Sequence, residues 1–116
     1  MNKLRGAIPV VRRLSAAEAE LWIRIDAERI TPATEVRGRL VGPRAPGVTT
    51  LEVAYPLQGF PKLPEGWPPL SRRAIIPDPN LWEPDRPFVY KAIVELWQDG
   101  AKSDENDFEI ALRTRS

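Results

Sequence analysis

The sequence contains neither cysteine nor histidine. Disulfides are therefore impossible, and cysteine nucleophiles, histidine general bases, Ser-His-Asp triads and zinc sites built on these side chains are excluded. Catalysis by this chain would need carboxylates, lysines, tyrosines or hydroxyl groups. We predict no catalytic residue, no metal site and no cofactor. The lack of cysteine suits any compartment and slightly favours the cytoplasm.

Strong charge of one sign and long apolar runs are also lacking. Charged residues make up 28% of the chain, but the net charge is only +1. A basic stripe that would neutralise phosphates is missing, so we expect no nucleic acid as a partner. No apolar run has the length that a bilayer requires, so we expect no membrane partner. The opening residues, MNKLRGAIPVVRRL, lack the continuous apolar region of a signal peptide.

Proline is the residue present in excess. The chain has thirteen prolines in 116 residues, roughly twice the average usage of about 5%. Because proline fixes φ and cannot donate in a β-ladder, this favours short strands joined by stiff loops over long helices. The length predicts one domain, 1–116, with a modest core, in which residues 1–15 form an edge strand or a loosely attached arm.

Apolar residues alternate with polar ones in much of the chain, which predicts strands. In segment 19–28 the apolar face carries Leu21, Ile23, Ile25 and Ala27. A helix competes here, because Ser15 and Glu18 have the spacing of a capping box. We favour the strand, because the alternation continues through β-branched isoleucines.

The same pattern predicts six further strands, at 7–14, 35–41, 49–57, 72–76, 88–98 and 107–114. In the fourth predicted strand the inward residues are Leu51, Val53, Tyr55 and Leu57. A proline-rich connector, 56–70, is too interrupted to be a regular element, and Asp99-Gly100 opens the last turn. About seven short strands with turns between them predict a monomeric, all-β, immunoglobulin-like sandwich.

The crossing between Ile76 and Phe88 is stiffened by Pro77, Pro79, Pro84 and Pro87. Stiffness lowers the entropy that this crossing loses on folding. We predict that Trp82 folds back over the end of the core. Tyr90, near the start of the following strand, stands where immunoglobulin-type sandwiches place a corner tyrosine.

The stretch IPDPNLWEPDRPFVYKAIVELWQDG, followed by DFEIALRT, resembles the immunoglobulin-like domain of glycoside hydrolase family 2, which includes β-galactosidases, β-mannosidases and β-glucuronidases. The matching residues include Pro79, Leu81, Trp82, Pro87, Tyr90 and Arg113. Ala111 departs from the glycine expected in the family. In that family the domain bridges a jelly roll and a (β/α)₈ barrel that holds the catalytic glutamates. The resemblance therefore implies an accessory module, with the barrel expected to lie outside this chain.

The leading functional hypothesis is a non-catalytic scaffold or protein-binding module. Its expected partner is another protein or a neighbouring domain, which would contact an uncovered apolar face at Val89, Ile93 and Trp97. The alternative is a small carbohydrate-binding module, because sugars stack on flat exposed rings. The ligand-facing candidates for that alternative are Trp22, Trp67 and Trp97.

Acidic residues supply two remoter hypotheses. The segment 99–109 carries Asp99, Asp104, Glu105 and Asp107, whose oxygens suit calcium, although a solvated hairpin tip is the favoured interpretation. Paired carboxylates such as Glu83 and Asp85 suggest a second hypothesis, a carboxylate-dependent glycoside hydrolase. We expect chance pairing instead, because no deep cleft is predicted. Likewise, the PxxP spacing at 61–64 is interpreted as an ordered loop rather than a peptide ligand.

Overall fold

The protein, seen here in a computed structural model, is described over residues 1–113 and folds as two antiparallel sheets. Its strands are β1 (Leu4–Leu14), β2 (Glu18–Ala27), β3 (Thr34–Arg44), β4 (Val53–Pro56), β5 (Arg72–Pro77), β6 (Val89–Gln98) and β7 (Ala101–Ile110). The strand orders are β1-β2-β5 and β4-β3-β6-β7. This confirms the predicted all-β, immunoglobulin-like sandwich of seven strands. Residues 1–113 include no helix of the length and apolarity needed to span a membrane.

The first hairpin shows why segment 19–28 is a strand and not a helix. The Ser15 hydroxyl accepts hydrogen bonds from the amides of Ala17 and Glu18, each 3.2 Å long, and the Ser15 amide donates to the Glu18 carbonyl. The spacing that resembled a capping box therefore closes the turn between β1 and β2. β1 is an edge strand and pairs with β2 from Leu4 to Leu14.

The core lies between the inward faces of β2 and β6. Both strands alternate buried and less buried residues, as the sequence pattern predicted. The fully buried positions at the centre are Leu21, Ile23, Ile25, Ala92, Val94 and Leu96. Because the chain has no cysteine, these contacts join the sheets without a covalent link, and apolar burial supplies the attraction.

Tyr90 is the corner tyrosine of the sandwich. Its ring is 1% exposed, and its hydroxyl accepts a hydrogen bond of 2.9 Å from the Asn80 backbone amide, ten residues upstream. The sequence assigned the role of covering the core to Trp82, and this was wrong. Leu81 packs against the core, while Trp82 is half-buried at the end of the sandwich.

The predicted strand 49–57 is shorter than the alternation suggested. β4 comprises only four residues, and Leu51 and Val53, predicted to point inward, are 90% and 46% exposed. β4 is an edge strand that pairs with β3 alone. Beyond it the Leu57 amide donates to Gly38 of β3, and Gln58 then exchanges two backbone hydrogen bonds with Arg73 of β5. The chain thus leaves one sheet and joins the other within two residues.

The last strand begins earlier than predicted. Asp99 and Gly100 both have positive φ, 55° and 79°, so they form the two-residue turn of a tight hairpin, and β7 starts at Ala101. A two-residue turn in which both residues have positive φ matches the twist of the flanking strands. Most of the acidic segment 99–109 is therefore strand and not loop. The predicted end of this strand, Thr114, lies outside the described residues.

We predict that Gly38→Ala destabilises the sandwich by about 1–3 kcal/mol. An added Cβ would collide with the Ile93 carbonyl oxygen of β6 and lie 2.9 Å from Cδ1 of Leu57. The backbone cannot yield without breaking the β3–β6 ladder. Urea unfolding measures the loss. Gly6→Ala, in β1, is the matched control, because its Cβ would meet no atom within 4 Å, and we expect a change within about 0.5 kcal/mol. Equal effects of the two substitutions would contradict the steric explanation.

Candidate functional site

Two of the three candidate tryptophans meet on the outer face of the three-stranded sheet. The Trp22 ring lies 5.1 Å from Phe60 and 5.3 Å from Trp67, both nearly perpendicular to it, and the centroids of Phe60 and Trp67 are 6.3 Å apart. We call Trp22, Phe60 and Trp67 the aromatic cluster. Trp22 belongs to β2, whereas the other two rings come from the connector 56–70. The connector therefore folds back over the sheet.

Short local turns and one buried hydroxyl hold the connector in place. The Trp67 amide donates to Pro64, and the Ser71 amide donates to Pro68. Ser71 is 1% exposed, and its hydroxyl accepts a hydrogen bond from the Ile25 amide of β2. Prolines restrict the remaining conformations, so the connector is ordered without belonging to a sheet.

An open groove of 690 Å³ runs between Trp22 and the connector. We call it the connector groove, and its walls are Trp22, Phe60, Pro61, Lys62, Leu63, Pro64, Glu65 and Arg73. Its volume falls within the range of about 300–1,000 Å³ typical of small-molecule sites. The groove combines an aromatic wall, a proline-rich wall and charged groups of both signs.

Glu20 orders the polar side of the connector groove. Its carboxylate accepts a hydrogen bond of 2.8 Å from the Trp22 indole nitrogen and lies 3.7 Å from the Arg73 guanidinium. The Arg73 Nε is buried and has no hydrogen-bond partner among the described residues. Glu20 thus fixes the Trp22 ring and leaves part of the donor capacity of Arg73 unused.

Trp97 lies on the other sheet and does not join the aromatic cluster. The guanidinium carbon of Arg37 is 4.0 Å from the centroid of its ring, and its indole nitrogen donates to Glu95. The face predicted to be open and apolar, Val89, Ile93 and Trp97, is half-buried throughout.

Charged side chains surround that face. Arg39 approaches Glu95 at 4.0 Å, and Lys91 approaches Asp107 at 3.6 Å. The outer surface of the four-stranded sheet therefore carries ion pairs around its apolar centre. It is not the flat apolar surface that the sequence suggested.

A second pocket, of 360 Å³, lies at the end of the sandwich where the described chain finishes. We call it the end pocket, and its walls are Arg44, Ala45, Pro46, Trp82, Pro87, Val89 and Glu109. The Trp82 amide donates to the Leu112 carbonyl, and the Arg113 guanidinium carbon lies 4.1 Å from the centroid of the Trp82 ring. Three of the family-like positions, Trp82, Pro87 and Arg113, thus meet at one end of the molecule.

The acidic residues do not assemble into a cation site. Asp104 accepts a hydrogen bond of 2.8 Å from the Leu4 amide, which lowers the pKa of its carboxyl group. The hydrogen bond from Lys102 likewise lowers the pKa of Glu105. Within residues 1–113, no three acidic side chains are grouped so that they could hold a metal ion. Glu83 and Asp85 are exposed on a turn that the Glu83–Arg86 bridge closes.

Sequence reasoning missed Phe60, Glu20 and Arg73 as members of this site. Phe60 and Trp67 each stand directly before a proline in the connector, and this repeated aromatic-proline pair was the available signal. Nothing in the sequence indicated that the connector returns to Trp22, because strand periodicity describes a strand's two faces and not what covers them.

Comparisons with known proteins agree with this architecture. Residues 13–113 match the family model described as glycosyl hydrolases family 2. A family 2 member from Bacteroides cellulosilyticus has a TM-score of 0.67 at 19% identity, covering 96% of this chain and 14% of its own. No curated protein matches the chain.

Two further solved structures show the same fold at low identity. A β-glucuronidase from Bacteroides uniformis has a TM-score of 0.65 at 18% identity, with 96% of this chain and 14% of its own covered. A β-glycosidase from Bacteroides vulgatus has a TM-score of 0.61 at 18% identity, with coverages of 96% and 13%. This chain therefore spans about one seventh of the length of the proteins that it resembles.

We predict that Trp22→Ala exposes the connector to trypsin at Lys62. The substitution removes two edge-to-face contacts worth about 0.5–1.5 kcal/mol each, so cleavage should accelerate about tenfold. Mass spectrometry of a digestion time course identifies the site. Trp97→Ala is the matched control, because that ring contacts Arg37 on the opposite sheet and should leave cleavage at Lys62 unchanged. Equal acceleration by both variants would show that the aromatic cluster does not hold the connector.

Proposed function

The chain belongs to glycosyl hydrolase family 2, and on that premise we propose that it is a non-catalytic structural module. It holds a neighbouring domain at each end of the sandwich in a set orientation. The C-terminal neighbour is a catalytic barrel that docks beside the end pocket. The observation that carries this proposal is the position of the two ends of the described chain.

The two ends lie at opposite ends of β6. Asn2 hydrogen-bonds to Gln98, the last residue of β6, whereas Ile110 pairs with Tyr90 near its start. A strand rises about 3.4 Å per residue in an antiparallel sheet, so the ends are separated by about 25–30 Å. Chain segments attached at the two ends would therefore be held well apart by the sandwich.

The N-terminal attachment is fixed by a buried amide. Asn2 is 2% exposed, donates to the Arg29 carbonyl at 2.8 Å and accepts from the Arg29 amide at 3.1 Å. Gln98 extends this network to Thr31 and Thr34. Satisfied buried polar networks rigidify the groups they connect, so the chain enters the sandwich along a defined path.

The C-terminal attachment is fixed by stacking. Arg113 lies over Trp82, and the backbone beside it is bonded to the Trp82 amide. Pro79 is buried and Tyr90 holds the Asn80 amide, so the loop that carries Trp82 is braced at its base. The end pocket beside it, with Pro87 and Val89 in its walls, offers partly apolar surface to a following domain.

The carboxylates support a non-catalytic role. A retaining glycosidase needs two carboxyl groups about 5 Å apart, one of them with a raised pKa, around a sugar site. The acidic groups with a resolved shift, Asp104 and Glu105, have lowered pKa values, caused by hydrogen bonds from Leu4 and Lys102 respectively. Lowered values suit structural ion pairs and not a general acid.

We therefore expect no turnover of 4-nitrophenyl β-galactoside, β-mannoside or β-glucuronide by the purified chain. The assay measures released nitrophenolate against a buffer blank. The double variant Glu83→Gln and Asp85→Asn, at the one carboxylate pair singled out from the sequence, serves as the comparison. Turnover by the parent chain that this variant abolishes would overturn the non-catalytic assignment.

Site-specific crosslinking tests the docking end. A photo-crosslinking phenylalanine analogue replaces Glu83, which is exposed beside Trp82, or Glu35, which is exposed on the outer face of β3. In the organism that makes the protein, we expect crosslinks from position 83 to a family 2 barrel, on the same polypeptide or another, and none from position 35. Crosslinks from position 35 alone, or to no barrel, would contradict the proposal.

A further inference from the structure

We propose that the connector groove binds a neutral oligosaccharide. This inference goes beyond the bridging role and does not depend on it, because the groove lies on the outer face of the three-stranded sheet and not at either end of the sandwich. It rests on the groove's aromatic wall, its balanced charges and the way its walls are held before a ligand arrives.

The aromatic wall gives the apolar face of a sugar ring a place to pack. Trp22 and Phe60 both line the groove, and the Trp67 ring lies next to both, with centroids 5.3 Å and 6.3 Å away. A pyranose ring presents C–H groups on its faces and hydroxyls at its edge. An aromatic wall with polar groups beside it matches that arrangement, because large rings combine contact area with a fixed geometry.

The charges around the groove favour a neutral ligand. Lys62 and Glu65 line it with opposite signs, and Arg73 is balanced by Glu20 at 3.7 Å. The charged side chains that line the groove therefore form no cluster of one sign, while Arg12 and Arg24 lie over the rings of Trp22 and Trp67. The same groups offer both donors and acceptors, and a sugar hydroxyl can donate and accept.

The walls are organised before binding. Glu20 fixes the Trp22 ring through its indole nitrogen, and the perpendicular rings of Phe60 and Trp67 restrict it further. Pro61 and Pro64 stiffen the opposite wall. A site that is already ordered loses less entropy when it binds. An arginine lies over each of the two strand tryptophans, Arg12 over Trp22 and Arg37 over Trp97. Of the two rings, it is Trp22 that has the connector beside it as a second wall.

Isothermal titration calorimetry of the full chain tests the proposal. The probes are cellotetraose, mannotetraose and xylotetraose as neutral chains, with tetragalacturonic acid as an anionic chain. We expect saturable binding of at least one neutral tetrasaccharide and no tighter binding of the anionic one, since the charges that line the groove are of both signs.

Variants test whether the calorimetric binding signal arises at the connector groove. Phe60→Ala removes one aromatic contact and should weaken binding about tenfold. Lys62→Ala should weaken it about threefold, a change typical of losing one exposed polar contact, and because Lys62 is exposed its removal should leave the circular dichroism spectrum unchanged. Trp97→Ala, the control on the opposite sheet, should bind as the parent chain does.

Three results would overturn the proposal. The first is that no neutral tetrasaccharide binds saturably at millimolar concentration. The second is that Phe60→Ala and Lys62→Ala both bind as the parent chain does, which would place the site elsewhere. The third is tighter binding of tetragalacturonic acid than of every neutral chain. In the first case the aromatic cluster acts only as an intramolecular clamp for the connector.

Discussion

The burial of β2 against β6 is the interaction on which the rest of the structure depends. In many immunoglobulin domains a disulfide joins the corresponding strands. Here Ala92, two residues after the corner Tyr90, is fully buried where such a cysteine would stand, and Ile23 and Ile25 pack in the same core. Because no disulfide joins the sheets and apolar contact supplies most of the attraction, side-chain fit must be close. Within the four-stranded sheet, the absence of a side chain at Gly38 lets β3 lie close to the Ile93 backbone of β6.

The inner faces of the two sheets form the core, and their outer faces are covered in different ways. On both faces an arginine lies over the strand tryptophan, and on the four-stranded sheet ion pairs surround it. The three-stranded sheet is covered by the proline-rich connector, which brings Phe60 and Trp67 onto Trp22. Both tryptophans on strands donate their indole hydrogen to the glutamate two residues earlier. The covered face has a groove beside its tryptophan, because there the connector stands next to the strand as a second wall.

The bridging role and the groove use separate parts of the molecule. The ends of the described chain are held at Asn2 and beside Trp82, at opposite ends of β6. The groove lies on a sheet face between them. A sandwich offers this separation naturally, because its loops and chain ends gather at the two ends of the strands while its sheet faces remain available. A module could therefore connect domains and contact a ligand without either task disturbing the other.

Local sequence patterns predicted the fold class, the strands β2 and β6 with their buried faces, and the role of Tyr90, because period-two alternation and turn residues act locally. They wrongly predicted that Leu51 and Val53 point into the core. β4 has only four residues and lies at the sheet edge, so these two apolar side chains stay exposed. They also assigned to Trp82 the covering of the core, where Leu81 packs instead. Contacts distant in sequence bring Trp22 and Trp67 together and leave Trp97 on the other sheet. The path of an irregular connector is set by contacts between residues distant in sequence, and local sequence patterns do not predict such contacts.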